Sequence, residues 1–260
     1  MKKNALITGA CINTGVAIVE KFAAEGYDVV FTGRSEEKVR AAEAAYRKKF
    51  PEVKILGYAI DSLIDPTTVD EKAVSNLFAD LDAKGIFVET LVLNAADQGL
   101  GIKIFESPLT DLMKVINTNV VWNFCLCEHA AKRMKEQGGG NIVFLNSNTA
   151  YRAIPDRVAY VASKGGQLGL MRALALDLGK YNIRVNAVLP GMIRTERWKT
   201  NPDFYKTVPS RYTPIGDVAD GADVADAVYY FAAHARNTTG AELVVDGGNT
   251  IQLYPIIPQE

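Results

Sequence analysis

Few residues in this chain announce special chemistry or special surroundings: there are three cysteines, two histidines and two tryptophans among 260 residues. Cys11, Cys125 and Cys127 are sparse and odd in number. That excludes a disulfide framework and points to a reducing compartment. Cys125 and Cys127 fall in a helical pattern, where residues two apart point in different directions, so they do not make a metal or redox pair and no metal site is expected. An excess of one charge is missing too. Lys and Arg total 29 against 30 Asp and Glu, a net charge of −1, so nothing calls for nucleic acid or an anionic membrane surface. No apolar run approaches the ~20 residues of a membrane-spanning helix. The first strand pattern begins at about Asn4, leaving no room for a signal peptide ahead of it. A cytoplasmic protein is expected, with neither a nucleic acid nor a membrane as partner.

Material for a core is plentiful, with 48% hydrophobic residues. Short β-rich runs at 5–8, 29–32, 54–60, 91–94, 141–145, 184–189 and 242–245 alternate with amphipathic stretches near 16–26, 35–49, 70–83, 109–136, 157–180 and 217–235. Strict alternation with nearly uninterrupted Val/Ile/Leu strands predicts a parallel sheet covered by helices on both faces. Right-handed crossovers make it a doubly wound, Rossmann-type α/β sheet of about seven strands. No linker, repeat or low-complexity segment divides the chain, so 1–260 is read as a single domain. Two stretches break the rhythm, 97–108 and 192–216. The second carries Trp198, Phe204, Tyr205 and Tyr212 among Arg194, Arg197, Lys199, Lys206 and Arg211. Both follow strands at their C-terminal ends, where open α/β sheets bind ligands, and 192–216 is read as a substrate loop.

Three patterns carry chemistry. TGACINTG (8–15) lies between the first strand and the first helix. Gly9 ends the strand and Gly15 opens the helix, an arrangement suited to a pyrophosphate on free backbone N–H groups. Second, TGRS (32–35) closes strand two with no carboxylate for a ribose 2′-hydroxyl. Arg34 stands there instead, with a guanidinium suited to a 2′-phosphate, or else as a solvated surface arginine. Ser35 can add its hydroxyl and N–H at the next helix start. NADPH is therefore expected over NADH, with NAD still possible, and an Asp at position 33 should reverse the choice. Third, Tyr160 and Lys164 lie four apart on one helix face. A phenol with pKa near 10 is a poor acid/base at neutral pH, and a neighbouring ammonium brings it toward the working range. Ser147, ending a strand thirteen residues earlier, can hydrogen-bond a substrate oxygen that gains charge.

Taken in order, TGACINTG, Asp61 after strand three, LNAA (93–96), INTNV (116–120), Ser147, YVASK (160–164), IRVNAVLPGMIRT (183–195) and VVDGG (244–248) resemble the short-chain dehydrogenase/reductase family over essentially the whole chain. The resemblance implies that Tyr160 is the acid/base, that Lys164 lowers its pKa and holds the nicotinamide ribose, and that Ser147 polarises the carbonyl. It makes Asn119, rather than Asn117 or Asn123, the fourth catalytic residue, positioning a proton-relay water. Gly9, Cys11, Asn13 and Thr14 would line the cofactor loop. Asp61 would meet the adenine with Ser62 beside it, and Asn94 and Ala95 the adenosine-side ribose. Pro190 and the backbone of Ile193 would border the nicotinamide, with the Thr195 hydroxyl on its carboxamide. Asn13 departs from the family's glycine, and asparagine is one of the few other residues that tolerate a left-handed backbone. A related reductase group spaces Tyr and Lys by six intervening residues. From Tyr151 that would need lysine at Val158, so the enoyl-reductase reading fails.

The function expected is hydride transfer between NADP(H) and a ketone/secondary alcohol pair. Alternatives are an NAD-dependent polyol, sugar or hydroxysteroid dehydrogenase, a 3-oxoacyl-thioester reductase, or a non-catalytic nucleotide sensor on the same fold. Gly165, Gly166 and Gly169 inside one helix each cost roughly 1 kcal/mol against alanine. That cost suggests close approach of another backbone. Family members commonly pair this helix and the one near 109–136, so a homo-tetramer or dimer is expected, with the tail 251–258 near an interface.

Overall fold

The apolar runs become strands that are buried on both faces. In the computed structural model, which describes residues 3–199, 209 and 211–254, seven parallel strands form one sheet in the order β3-β2-β1-β6-β7-β8-β9. They are β1 (Asn4–Ile7), β2 (Asp28–Gly33), β3 (Ile55–Ala59), β6 (Thr90–Leu93), β7 (Gly140–Leu145), β8 (Ile183–Pro190) and β9 (Glu242–Val245). Two short strands, β4 (Leu63–Asp65) and β5 (Thr68–Val69), pair antiparallel outside this sheet.

Side chains alternate between two cores, as period-two geometry requires. Ala5, Ile7, Val29, Phe31, Val92 and Val143 face α1 (Asn13–Ala24), α2 (Glu36–Lys49) and α7 (Gly221–Tyr229). Leu6, Val30, Leu91, Leu93, Ile142 and Phe144 face α3 (Glu71–Ala83), α5 (Trp122–Glu136) and α6 (Val158–Gly179). The direction of winding changes between β1 and β6, opening a crevice at the C-terminal strand ends.

Three local features differ from the sequence reading. The β4–β5 hairpin is new; its turn is held by Asp65, whose carboxylate accepts from the Thr67 N–H at 2.8 Å and hydroxyl at 2.7 Å. The stretch 109–136 is not one uniform helix: α4 (Leu109–Ile116) passes through a π-helical turn, Asn117–Val121, into α5. A second π-helical turn, Tyr230–His234, ends α7. Apolar periodicity runs through both turns, so hydrophobic pattern alone does not reveal the extra residue each inserts.

Candidate active site

The loop between β1 and α1 is braced from three sides. The Thr8 hydroxyl accepts from the N–H groups of Asn94 and Ala95, each at 3.0 Å. The Asn94 side-chain amide donates to the carbonyls of Thr8 and Gly9, each at 2.9 Å, and the Tyr46 hydroxyl donates to the Ala10 carbonyl at 2.6 Å. Both amide hydrogens of Asn94 are thus engaged within the loop. The resemblance puts Asn94 at a ribose; its side chain serves as a strut between two strand ends. Gly9 has φ +66°, and a Cβ there would lie 2.8 Å from Ala95 Cα. Asn13 has φ +50°, the left-handed conformation in which glycine is otherwise preferred. The helix opens at Asn13, two residues before Gly15, and its N-cap Ile12 supplies no side-chain acceptor. The first-turn N–H groups of α1 therefore lack a capping side chain and face the crevice with the positive end of the helix dipole. Around them Thr14 is buried and Cys11 half-buried. This cradle of close-packed glycines and uncapped N–H groups fits a dinucleotide pyrophosphate.

At the end of β2, Arg34 is exposed, and among the described residues no ion pair engages it. Glu36 is drawn away to Arg40 at 2.7 Å, which leaves the positive field there less diluted than the local sequence suggests. The Ser35 hydroxyl caps α2 by accepting from the Lys38 N–H at 3.4 Å. Lys38, which sequence reasoning missed, sits close enough to Cys11 to oppose the upward push of burial on its thiol pKa. On the adenine side, Asp61 is exposed with its carboxylate accepting from the Leu63 N–H at 3.4 Å, and the buried Ser62 hydroxyl meets that of Thr118 at 3.3 Å.

Ser147, Tyr160 and Lys164 come together beside the same crevice. Ser147 follows β7 and caps a short 3₁₀ turn, Asn148–Ala150. Its oxygen accepts from the Thr149 N–H at 3.2 Å and hydroxyl at 2.9 Å, so its own proton is left to donate outward. The Ser147 hydroxyl lies close enough to Tyr160 to favour its phenolate. Burial pushes the Tyr160 phenol up, while Ser147 and the Arg157 guanidinium pull it back. Arg157, a residue the sequence reading passed over, thus joins the groups that favour the phenolate. Lys164 Nζ lies 5.5 Å from the Tyr160 ring centroid, is 1% exposed, and is pushed down to about 7 by burial. It donates to the Leu145 carbonyl at 2.9 Å and to Gln167 Oε1 at 3.1 Å.

Asn119 is fully buried in the first π-helical turn. Its side chain exchanges hydrogen bonds with the Asp97 backbone, both at 2.8 Å, and donates to the Ser163 hydroxyl at 2.9 Å. Its carbonyl accepts from Gln167 Nε2 at 2.6 Å and Asn123 Nδ2 at 2.8 Å. A carbonyl has two lone pairs, and both have amide partners here. The Asn119 carbonyl is thus tied directly to α6 through Gln167.

Along the far rim, Pro190 is buried at the end of β8, Ile193 forms an isolated bridge with Ala219, and the Thr195 carbonyl accepts from the Trp198 N–H at 2.9 Å. Arg194 is paired with Asp217 at 2.6 Å. Phe204, Tyr205 and Lys206 lie outside the described residues, as do the side chains of Arg197 and Lys199. Among the described residues no cluster of His, Cys, Asp and Glu is arranged to hold a metal, and no helix is long and apolar enough to cross a membrane.

Residues 9–250 match a family model described as Enoyl-(Acyl carrier protein) reductase. An uncharacterized oxidoreductase of Thermotoga maritima is 31% identical over 258 residues, spanning 96% of this chain and 97% of that protein. The 3alpha-hydroxysteroid dehydrogenase of Mediterraneibacter gnavus is 32% identical over 246 residues, spanning 94% and 96%. The solved structure of ElxO with NADP bound superimposes with a TM-score of 0.86 at 29% identity, covering 97% of this chain and all of that one. A doubly wound sheet with a Tyr-Lys pair at its crevice defines a nucleotide-dependent oxidoreductase scaffold. With these similarities, the chain belongs to the short-chain dehydrogenase/reductase family of NAD(P)-dependent oxidoreductases.

Proposed function

We propose that the protein moves hydride between NADP(H) and a ketone/secondary alcohol pair, with Tyr160 as the acid/base. The observation that carries this reading is the convergence of Ser147, Tyr160 and Lys164 beside the glycine-lined crevice. The NADP-bound ElxO structure and the unpaired Arg34 support the phosphorylated cofactor. Gly9, Cys11, Asn13 and Thr14 would hold the pyrophosphate, Arg34 and Ser35 the 2′-phosphate, and Asp61 and Ser62 the adenine end. Ala95, Pro190, Ile193 and Thr195 would border the ribose and nicotinamide.

The bound nicotinamide supplies or takes the hydride. During reduction the outward proton of Ser147 hydrogen-bonds the substrate oxygen as it gains negative charge. Tyr160 gives its proton to that oxygen, and Arg157 and the Lys164 ammonium stabilise the phenolate left behind. In the reverse direction the phenolate takes the alcohol proton. The dehydrogenase from M. gnavus places steroids among the substrates to try first. A panel of steroids, sugars, acyl thioesters and quinones, read by the absorbance of reduced nicotinamide, tests the proposal. NADPH oxidation with at least one ketone is the expected result; no turnover on any member, with NADPH still bound tightly, would favour a nucleotide sensor.

A further inference from the structure

Gln167 lies one helical turn beyond Lys164 and is fully buried. Nothing in its surroundings is apolar packing alone, because every polar atom of its amide is engaged. Nε2 donates to the Asn119 carbonyl at 2.6 Å. Oε1 accepts from Lys164 Nζ at 3.1 Å and from Asn146 Nδ2 at 3.1 Å. The amide's orientation follows from its neighbours. A carbonyl can be met only by the NH₂ end, and an ammonium only by the oxygen. Asn146 closes the ring by donating to the Lys164 carbonyl at 2.9 Å and accepting from the Ser147 N–H at 2.7 Å.

We propose that Gln167 is a positioning residue that aims the Lys164 ammonium, tying it to the Asn119 carbonyl through a direct amide bridge. The inference rests on the functional reading above for what Lys164 does, and on geometry for how it is held. Two of the three ammonium protons are directed to the Leu145 carbonyl and Gln167 Oε1. The third is left for the side of the Tyr160 ring, 5.5 Å away at its centroid, and would be available to the ribose of a bound cofactor. Without Gln167 Oε1 the ammonium would have one fixed acceptor and could swing about the Leu145 carbonyl.

The groups facing Lys164 make its charge sensitive to this one amide. From β7 comes the Leu145 carbonyl; from α6 itself come the neutral Gln167 amide and Tyr160; neutral Asn146 holds the Lys164 backbone carbonyl. The Asp97 carboxylate is turned away, accepting from the Gly99 N–H at 2.8 Å and lying 3.6 Å from Lys114. Arg157 donates to the Gln98 carbonyl at 3.0 Å. No carboxylate among the described residues offsets the buried ammonium, so a change at Gln167 is not masked by a nearby acid.

The test uses Gln167→Leu and Gln167→Glu, with NADPH affinity followed by fluorescence between pH 6 and 10. Wild-type affinity is expected to weaken as Lys164 loses its proton. Leu removes an acceptor, so the midpoint moves to lower pH and NADPH binding at pH 7 weakens by about ten-fold, the scale of one hydrogen bond to a charged group. Glu supplies a carboxylate to the ammonium, so the midpoint moves to higher pH. A merely structural role would shift both variants the same way or neither. Wild-type midpoints in both would overturn the proposal, and if the Leu variant does not fold the near-isosteric Glu variant decides. Tyr160→Phe is run alongside. Full turnover there sinks the acid/base reading while leaving the midpoint comparison for Gln167 intact.

Discussion

Cys11 Sγ occupies the space in which any side chain at Gly33 would have to begin: a Cβ on Gly33 would lie 2.4 Å from that sulfur and 2.9 Å from Val39 Cγ2. An Asp at position 33, expected from sequence alone to turn the enzyme toward NADH, therefore meets this packing before its charge can act. Gly33→Asp by itself should destabilise the fold by ~1–3 kcal/mol, as overpacking does, and weaken both cofactors. Adding Cys11→Ala removes the sulfur and should restore NADH binding above that of the single variant. Thermal melting with paired NADPH and NADH titrations checks this; good NADH binding by Gly33→Asp alone would show that the sulfur yields freely.

Arg34 should account for most of the cofactor preference. Hydrogen bonds to a charged group contribute roughly 1.5–3 kcal/mol, or ~10–150-fold in affinity. Arg34→Ala is expected to lose NADPH affinity on that scale while NADH binding hardly changes. Lys38 and Ser35 remain in the variant, so a residual preference of a few fold is expected. Fluorescence titrations decide, and tighter NADH than NADPH binding by the wild type would make Arg34 an ordinary surface residue.

Asn13 sits at φ +50°, where a β-branched side chain is strained. Asn13→Gly should bind NADPH about as well as the wild type, whereas Asn13→Val should bind it poorly and melt earlier. Equal affinity in the Val variant would mean the loop tolerates another backbone conformation.

Removing the phenolic proton while keeping the ring isolates the chemistry. Tyr160→Phe should lower turnover by ~10²–10⁴, the usual range for losing a general acid/base, with cofactor affinity largely retained. Steady-state kinetics on the best panel substrate measures it.

Assembly is the remaining expectation. A Cβ at Gly165 or Gly169 would meet nothing within 4 Å, and at Gly166 only Val120 Cγ2 at 3.6 Å. The close approach inferred from these glycines is therefore not made within this chain. The exposed Val121, Phe124 and Leu176 lie on the same pair of helices, α5 with its preceding turn and α6. We expect a homo-tetramer or dimer in solution, and light scattering that shows a stable monomer at micromolar concentration would remove the idea.

The sheet was readable because strands buried on both faces are unbroken apolar runs, and β1, β2, β6, β7 and β8 are such runs. The β4–β5 hairpin escaped because it is short and mostly exposed, and it contains Pro66. Tyr160 and Lys164 were legible from helical spacing. Gln167 follows Lys164 by three residues, a spacing that also shares a helix face, but only the fold brings Asn119 and Asn146 to its amide. Arg157 was invisible for a related reason: its influence on Tyr160 depends on how the chain enters α6, which hydrophobic periodicity does not encode.

The Asn94 strut bears on the kinetics of nucleotide capture. Because one amide ties the carbonyls of Thr8 and Gly9 to the end of β6, the phosphate loop acquires its shape when the sheet forms, before any ligand arrives. Ordering entropy that a floppy loop would lose on association is lost instead during folding. Replacing Asn94 by an apolar residue would free the loop to sample many shapes, so that encounters with the cofactor continue at the same frequency while a smaller fraction of them become productive.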